Sequence, residues 1–173
     1  LNDVLDLSKI AADKLELNCC DVNLDSLMTD VYTLMRVSAL DKGLTLKFES
    51  QQALPLVINT DATRLRQILI NIINNAIKFT NQGEITVRAW TAWVQEREML
   101  FFSIKDTGLG IPAEKQALIF KPFEQIADVE SRDVGGAGLG LAICSELLSR
   151  MQGSIELEST QGVGSEFTLS IYP

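Results

Sequence analysis

The run DATRLRQILINIINNAIKFT, from Asp61 to Thr80, sorts cleanly when wound as a helix at about 100° per residue. Arg64, Gln67, Asn71, Asn75 and Lys78 fall within about 40° of one line, with Asn74 beside it. Leu65, Ile68, Leu69, Ile72, Ile73, Ala76, Ile77 and Phe79 take most of the remaining circumference. That apolar arc is too wide for a helix that merely floats on a surface. The polar stripe is chemically unusual as well. Solvated helix faces favour Glu and Lys, whereas Asn is a poor helix former and three stand here in mid-helix. No acidic residue occurs between Ala62 and Gly83, although the chain carries a net charge of −8. A carboxamide offers a neutral oxygen to a hard cation and an NH2 donor to phosphate, so the stripe suits an anion bound with its metal. An amphipathic helix with its Asn face in water is the plainer reading, and the pattern alone leaves both open.

The rest of the composition narrows the classes. At 173 residues and 46% hydrophobic content, the chain supports one domain with a real core. A pI near 4.6 argues against general nucleic-acid or membrane-surface binding. No apolar run approaches the roughly 18 residues that a spanning helix needs. The chain opens LNDVLDLSK, with neither Met nor a basic leader, and reads as a piece cut from something longer. Three cysteines in no disulfide or metal spacing fit a reducing compartment. Histidine is absent, which removes His-based triads, His metal sites and phosphohistidine chemistry on this chain itself.

Outward from residues 61–80, the pattern predicts a helix over 1–17, starting in mid-pattern without a cap. A break at LNCCDVN follows, then a second helix over 23–41 closed by Gly43. Residues 44–49 alternate as a strand, Asp61 is the expected N-cap of the Asn-rich helix, and Gly83 its expected close. Strands over 84–94 and 99–106 joined by a charged turn predict an antiparallel hairpin. Residues 113–120 give at most a short helix, 124–134 a long aperiodic loop that reads as a lid, and 138–151 another helix. Residues 154–159 and 165–171 finish as a hairpin around Gly162 and Gly164. The mixture is α+β: a mixed, mostly antiparallel sheet with helices on one face.

Two further motifs bear chemistry. Asp106 ends an apolar strand and leads into Thr107-Gly108-Leu109-Gly110-Ile111. A carboxylate there only accepts hydrogen bonds, so it can take one from adenine's exocyclic amine and repels guanine's carbonyl oxygen. The alternative is a structural Asp-Thr-Gly turn. Gly135-Gly136-Ala137-Gly138-Leu139-Gly140 opens the helix over 138–151. Backbone N–H groups freed by glycine, together with the helix dipole, favour phosphate; a hinge or close helix packing is the alternative. Arg132 stands just before these glycines.

In order, then, come an amide-and-Lys helix, an Asp-x-Gly turn, a Phe-rich loop (Ile119-Phe120-Lys121-Pro122-Phe123) and a glycine-rich helix start. The set resembles the catalytic and ATP-binding domain of bacterial sensor histidine kinases, in their hybrid form. The N box matches Asp61 to Thr80, the G1 box Asp106 to Gly110, the F box Phe120 to Phe123, and the G2 box Gly136 to Gly140. The following Gly-x-Gly-Ser-x-Phe matches Gly162 to Phe167. The resemblance implies the Bergerat fold, a two-layer α/β sandwich. It assigns residues 1–19 to the end of a dimerisation helix and linker, and residues 20–173 to the catalytic domain.

The resemblance also implies roles. Asn71 would ligand Mg²⁺, with Asn75 and Lys78 on phosphate oxygens and Arg132 reaching a terminal phosphate. Phe79 would border the base, Asp106 would read adenine, and Gly108, Gly110, Ile111 and Phe120 would shape the pocket. Gly136, Ala137, Gly138, Leu139 and Gly140 would close over the triphosphate. Gln67 stands where hydrolytic relatives carry a Glu base; glutamine cannot act as one, which tilts the reading from ATP hydrolysis toward phosphoryl transfer. Ala137 stands where Thr is commonest. The implied function is transfer of the γ-phosphoryl group of Mg·ATP to a histidine on dimerisation helices outside this chain. Its implied partners are those helices and a receiver domain, in a homodimeric parent at the cytosolic side of the inner membrane. The fragment itself reads as a monomer. A regulatory nucleotide-binding module without kinase activity and a gyrase-like ATPase are the competing readings.

Overall fold

A computed structural model describes residues 2–50, 52–124 and 138–173. The chain runs α1 (Asn2–Ala11), β1 (Cys20–Asn23), α2 (Leu24–Asp41), β2 (Thr45–Ser50), β3 (Val57–Thr60) and α3 (Ala62–Phe79). It continues through β4 (Glu84–Val94), β5 (Arg97–Asp106), α4 (Ala113–Gln116), α5 (Gly140–Arg150), β6 (Ser154–Thr160) and β7 (Gly164–Ile171).

Five strands form one sheet in the order β2-β4-β5-β7-β6. The β2–β4 pair is parallel and the other three pairs are antiparallel, which is the mixed sheet the alternation predicts. Alternate residues turn inward: Ile85, Val87 and Ala89 of β4, Leu100, Phe102 and Ile104 of β5, Phe167, Leu169 and Ile171 of β7. Against them lie Leu65, Ile68, Leu69, Ile72 and Ile73 of α3 with Ile143, Leu147 and Leu148 of α5. The opposite face carries half-buried groups such as Trp90 and Phe101, stacked at 5.4 Å and 8°. Two layers with the helices on one face result.

The wide apolar arc of α3 is thereby explained, since it packs on the sheet while α2 and α5 flank it. Asp61 caps its start, Oδ1 accepting from the Arg64 N–H at 3.0 Å. The helix stops at Phe79, before the expected Gly83, because Thr80 is already extended. Lys42, from the end of α2, then supplies the capping donor: its Nζ lies 2.7 Å from both the Ile77 and Lys78 carbonyl oxygens.

Two further expectations change, and one pairing is unforeseen. The first helix ends at Ala11 rather than near Leu17, for Asp13 is left-handed (φ 52°) and the chain then turns to bury Leu15 in the core. β5 begins at Arg97, two residues early, because Gln95 and Glu96 (φ 48° and 66°) form the tight turn by themselves. The pairing of β1 with β3 has no signal in the sequence: each is four residues long, too short to declare an alternation. It nevertheless fixes the start of α3, where Asp61 Oδ2 also accepts from the Asn18 N–H at 2.9 Å.

Candidate functional site

The polar stripe of α3 is neither in open water nor in the core. Arg64, Gln67, Asn71, Asn75, Lys78 and Phe79 are all partly buried, and only Asn74, beside the line, is exposed. The stripe is therefore half-covered by its neighbours along its length. At its start Asp6 of α1 reaches across, its Oδ2 accepting from Arg64 and from Gln67 Nε2, each at 2.9 Å. Arg64 also donates to Gln67 Oε1 at 2.8 Å, so both ends of that carboxamide are engaged. Burial raises the Asp6 carboxyl, but the bonds from Gln67 and Arg64 and the Arg64 charge outweigh it and hold the carboxyl below its ordinary 3.8.

At the other end, the turn after β5 docks on the last residues of α3. Leu109 N–H donates to the Phe79 carbonyl at 3.1 Å. Asp106 is buried, and its Oδ1 accepts from the N–H groups of Gly108 (2.9 Å) and Ser165 (3.3 Å). Among the described residues Oδ2 has no hydrogen-bond partner, so it is the oxygen with acceptor capacity to spare. Burial pushes the carboxyl above its usual range and the two backbone bonds only partly offset this. A Cβ on Gly108 would meet the Phe79 carbonyl and stand 2.7 Å from Thr80 Oγ1, so glycine alone permits this approach. Gly164 (φ 143°) is held likewise, for a Cβ there would run into the Asp106 carbonyl. Ile111 N–H donates to Ser159 Oγ at 2.8 Å, and Gly162 N–H to the Leu109 carbonyl at 2.7 Å, binding the turn to the β6–β7 hairpin. Phe120 meets Phe167 edge-on at 6.4 Å.

The N-terminus of α5 arrives against the middle of the stripe. Its cap residue Leu139 makes no side-chain cap bond, so among the described residues the first N–H groups of α5 have no side-chain acceptor. Gly140 sits where an added Cβ would lie 3.8 Å from Asn71 Nδ2. One turn later, Cys144 Sγ accepts from Asn71 Nδ2 at 3.8 Å and donates to the Ile68 carbonyl at 3.9 Å. Burial pushes the Cys144 thiol up to about 12, so it is neutral across the ordinary pH range.

Direct contacts join Asn71 to Gly140, and Phe79 to Gly108 and Leu109 of the Asp106 turn, with Lys78 Nζ 5.1 Å from the Phe79 ring centre and Asn75 on the same stripe. Gly110 and Ile111 abut the β6–β7 hairpin, Phe120 packs on Phe167, and Leu139 and Gly138 (φ 70°) lead into α5. Arg132, Gly136 and Ala137 lie outside the described residues, as does all of the expected lid beyond Glu124. The described flanks of that stretch meet, the Phe123 N–H donating to the Gly138 carbonyl at 3.0 Å.

Sequence reasoning missed Asp6, Thr80 and Cys144. Asp6 carried no signal, being one of several acids on a short amphipathic helix. Thr80 closes the quoted stretch but shows its peculiarity only in three dimensions. It is 0% exposed, and its Oγ1 is the buried side-chain atom without a partner among the described residues. An orphaned hydroxyl beside Asp106 and Gly108 suits a polar ring or its bridging water. The residues fit a divalent cation only in a limited sense. Among the described residues, no group of three His, Cys, Asp or Glu is gathered. An ion at Asn71 would need most of its ligands from phosphate and water, as Mg²⁺ on a nucleotide has. An open cavity of about 420 Å³ between α2 and β2, lined by Leu24, Met28, Tyr32 and Phe48, is separate from all of these residues.

Residues 60–173 match the family described as histidine kinase-, DNA gyrase B- and HSP90-like ATPase. The chain is 40% identical over 172 residues to the aerobic respiration control sensor protein ArcB of Escherichia coli, covering 99% of this chain and 22% of ArcB. It is 41% identical to the sensor protein GacS of Pseudomonas syringae, with 99% and 19% covered. The chain therefore spans about a fifth of the length of these curated relatives. Among solved structures, full-length ShkA in complex with AMPPNP superposes with a TM-score of 0.84 at 35% identity, covering 98% of this chain and 34% of ShkA. The catalytic domain of the histidine kinase ThkA gives 0.74 at 27% identity, covering 90% and 95%. No helix among the described residues is long and apolar enough to cross a membrane.

Proposed function

The chain belongs to the family of histidine kinase-, DNA gyrase B- and HSP90-like ATPases and is an ATP-binding catalytic domain of the sensor-kinase kind; from that premise we propose that it passes the γ-phosphoryl group of Mg·ATP to a histidine outside itself. The observation that carries this reading is the meeting of three sequence-distant motifs along one helix. The Asp106 turn lies on its C-terminal end and the α5 N-terminus lies on its middle.

In this reading Asp106 Oδ2 accepts from the adenine amine while Oδ1 stays tied to the backbone, which makes the carboxylate rigid and adenine-selective. Phe79 borders the base, and Asn75, Lys78 and the first N–H groups of α5 take phosphate oxygens. Asn71 Oδ1 holds the metal. Bound Mg²⁺ supplies charge neutralisation on the phosphates and fixes the orientation of the transferred group. Gly136, Ala137 and Arg132 complete the phosphate end. Gln67 does not serve as a base, because a carboxamide has no group basic enough to take the proton; its amide is instead engaged by Asp6 and Arg64.

With no histidine in the chain, the acceptor lies elsewhere in the parent kinase. We take α1 as the end of a dimerisation helix, the parent as a homodimeric hybrid kinase anchored at the inner membrane, and a receiver domain as the onward acceptor. The test mixes this chain with the parent's histidine-bearing helices and radiolabelled ATP. Acid-labile label on the helices and none on this chain supports the proposal. Release of phosphate without labelling of the helices would contradict it.

A further inference from the structure

Asn71 is the stripe residue on which the proposed metal depends, and its carboxamide can present either its oxygen or its NH2 to that metal. Cys144, four residues along α5 from Gly140, meets that carboxamide. Its S–H is directed to the Ile68 carbonyl at 3.9 Å, which leaves the sulfur lone pairs as acceptors. Asn71 Nδ2 meets that sulfur at 3.8 Å, so the oxygen faces away from α5. The thiol is fully buried, and Gly140 leaves space beside the same carboxamide. A flipped Asn71 would set a carbonyl oxygen against a sulfur whose proton is already committed, leaving the NH2 to face the cation.

We propose that Cys144 is a positioning residue for Asn71, holding its carboxamide so that Oδ1 faces Mg²⁺ in the nucleotide cleft. The inference rests on the metal role of Asn71 proposed above. It predicts that the sulfur matters to the metal-dependent part of nucleotide affinity and not to the rest.

Cys144→Ala and Cys144→Ser are compared with the parent chain by calorimetry, using AMPPNP with Mg²⁺ and with EDTA, after thermal melts establish folding. Loss of one weak hydrogen bond corresponds to roughly a three- to tenfold effect. The alanine variant should lose about that much affinity with Mg²⁺ and none with EDTA, and serine, whose hydroxyl still accepts, should restore it. Independently, the Asn71 side-chain amide NMR signal, identified by its loss in Asn71→Ala, should move in the nucleotide-free alanine variant. Equal losses with and without Mg²⁺ would show a packing role only and overturn the proposal, as would an unmoved Asn71 signal. A parent chain that binds no nucleotide would sink the functional reading instead, while the amide signal would still decide whether Cys144 holds Asn71.

Discussion

Asp106 spends one oxygen on two backbone N–H groups and is buried at a cost that raises its carboxyl above the ordinary range. A group held at such a cost is a candidate for function rather than stability. Asp106→Asn removes the charge while its Oδ1 can keep both backbone bonds, so the melting temperature should hold or rise. Its NH2 would now face adenine's amine, donor against donor. AMPPNP affinity should fall by about 1–3 kcal/mol, roughly 5- to 150-fold, and the preference should shift toward a 6-oxo purine nucleotide. Calorimetry with both nucleotides and a thermal melt check this. Asp106 was legible from the sequence because an acid closing an apolar strand before Gly-x-Gly is unusual. Thr80 was not, since an unpartnered hydroxyl is a property of its surroundings.

Between elements, α1 is held to α3 through Asp6, Arg64 and Gln67. Asp6→Ala leaves two partly buried donors unsatisfied and should cost about 1–3 kcal/mol, a drop of some 2–10 °C in melting temperature. Faster amide exchange confined to α1 would accompany it. The pH dependence has a definite sign. With its folded pKa below 3.8, Asp6 gives its full stabilisation above the unfolded value and loses it as pH falls through the folded one. Urea unfolding between about pH 2 and 6 should show a slope that Asp6→Asn flattens. Gln67→Glu sets a second carboxylate against Asp6 and should lower stability by about 1–2 kcal/mol without creating a hydrolase. Helices α2, α3 and α5 and the two hairpins could be read from periodicity and turn residues, because each buries a long regular face. The β1–β3 ladder and the early end of α1 could not, because tertiary pairing decides them over four-residue spans.

Across the whole molecule, β5 and α5 converge on α3 from distant parts of the chain, and β7 joins them by pairing with β5. Gly164 joins two of these parts at the Asp106 carbonyl. Gly164→Ala forces a Cβ into that carbonyl from a backbone that L residues rarely adopt, so melting temperature and nucleotide affinity should fall together. The order of motifs announced this convergence in the sequence, whereas the contact of Asp6 of α1 with the start of the stripe appears only in the fold. The chain's place in a larger kinase rests on its function as a nucleotide site, and the most direct measurement is calorimetric titration with AMPPNP, with and without Mg²⁺, beside the guanine counterpart. Mg²⁺-dependent binding of the adenine nucleotide, with guanine at least tenfold weaker, is the predicted result. A folded chain that binds neither nucleotide, or binds both alike without regard to Mg²⁺, would contradict the roles given to Asp106 and Asn71.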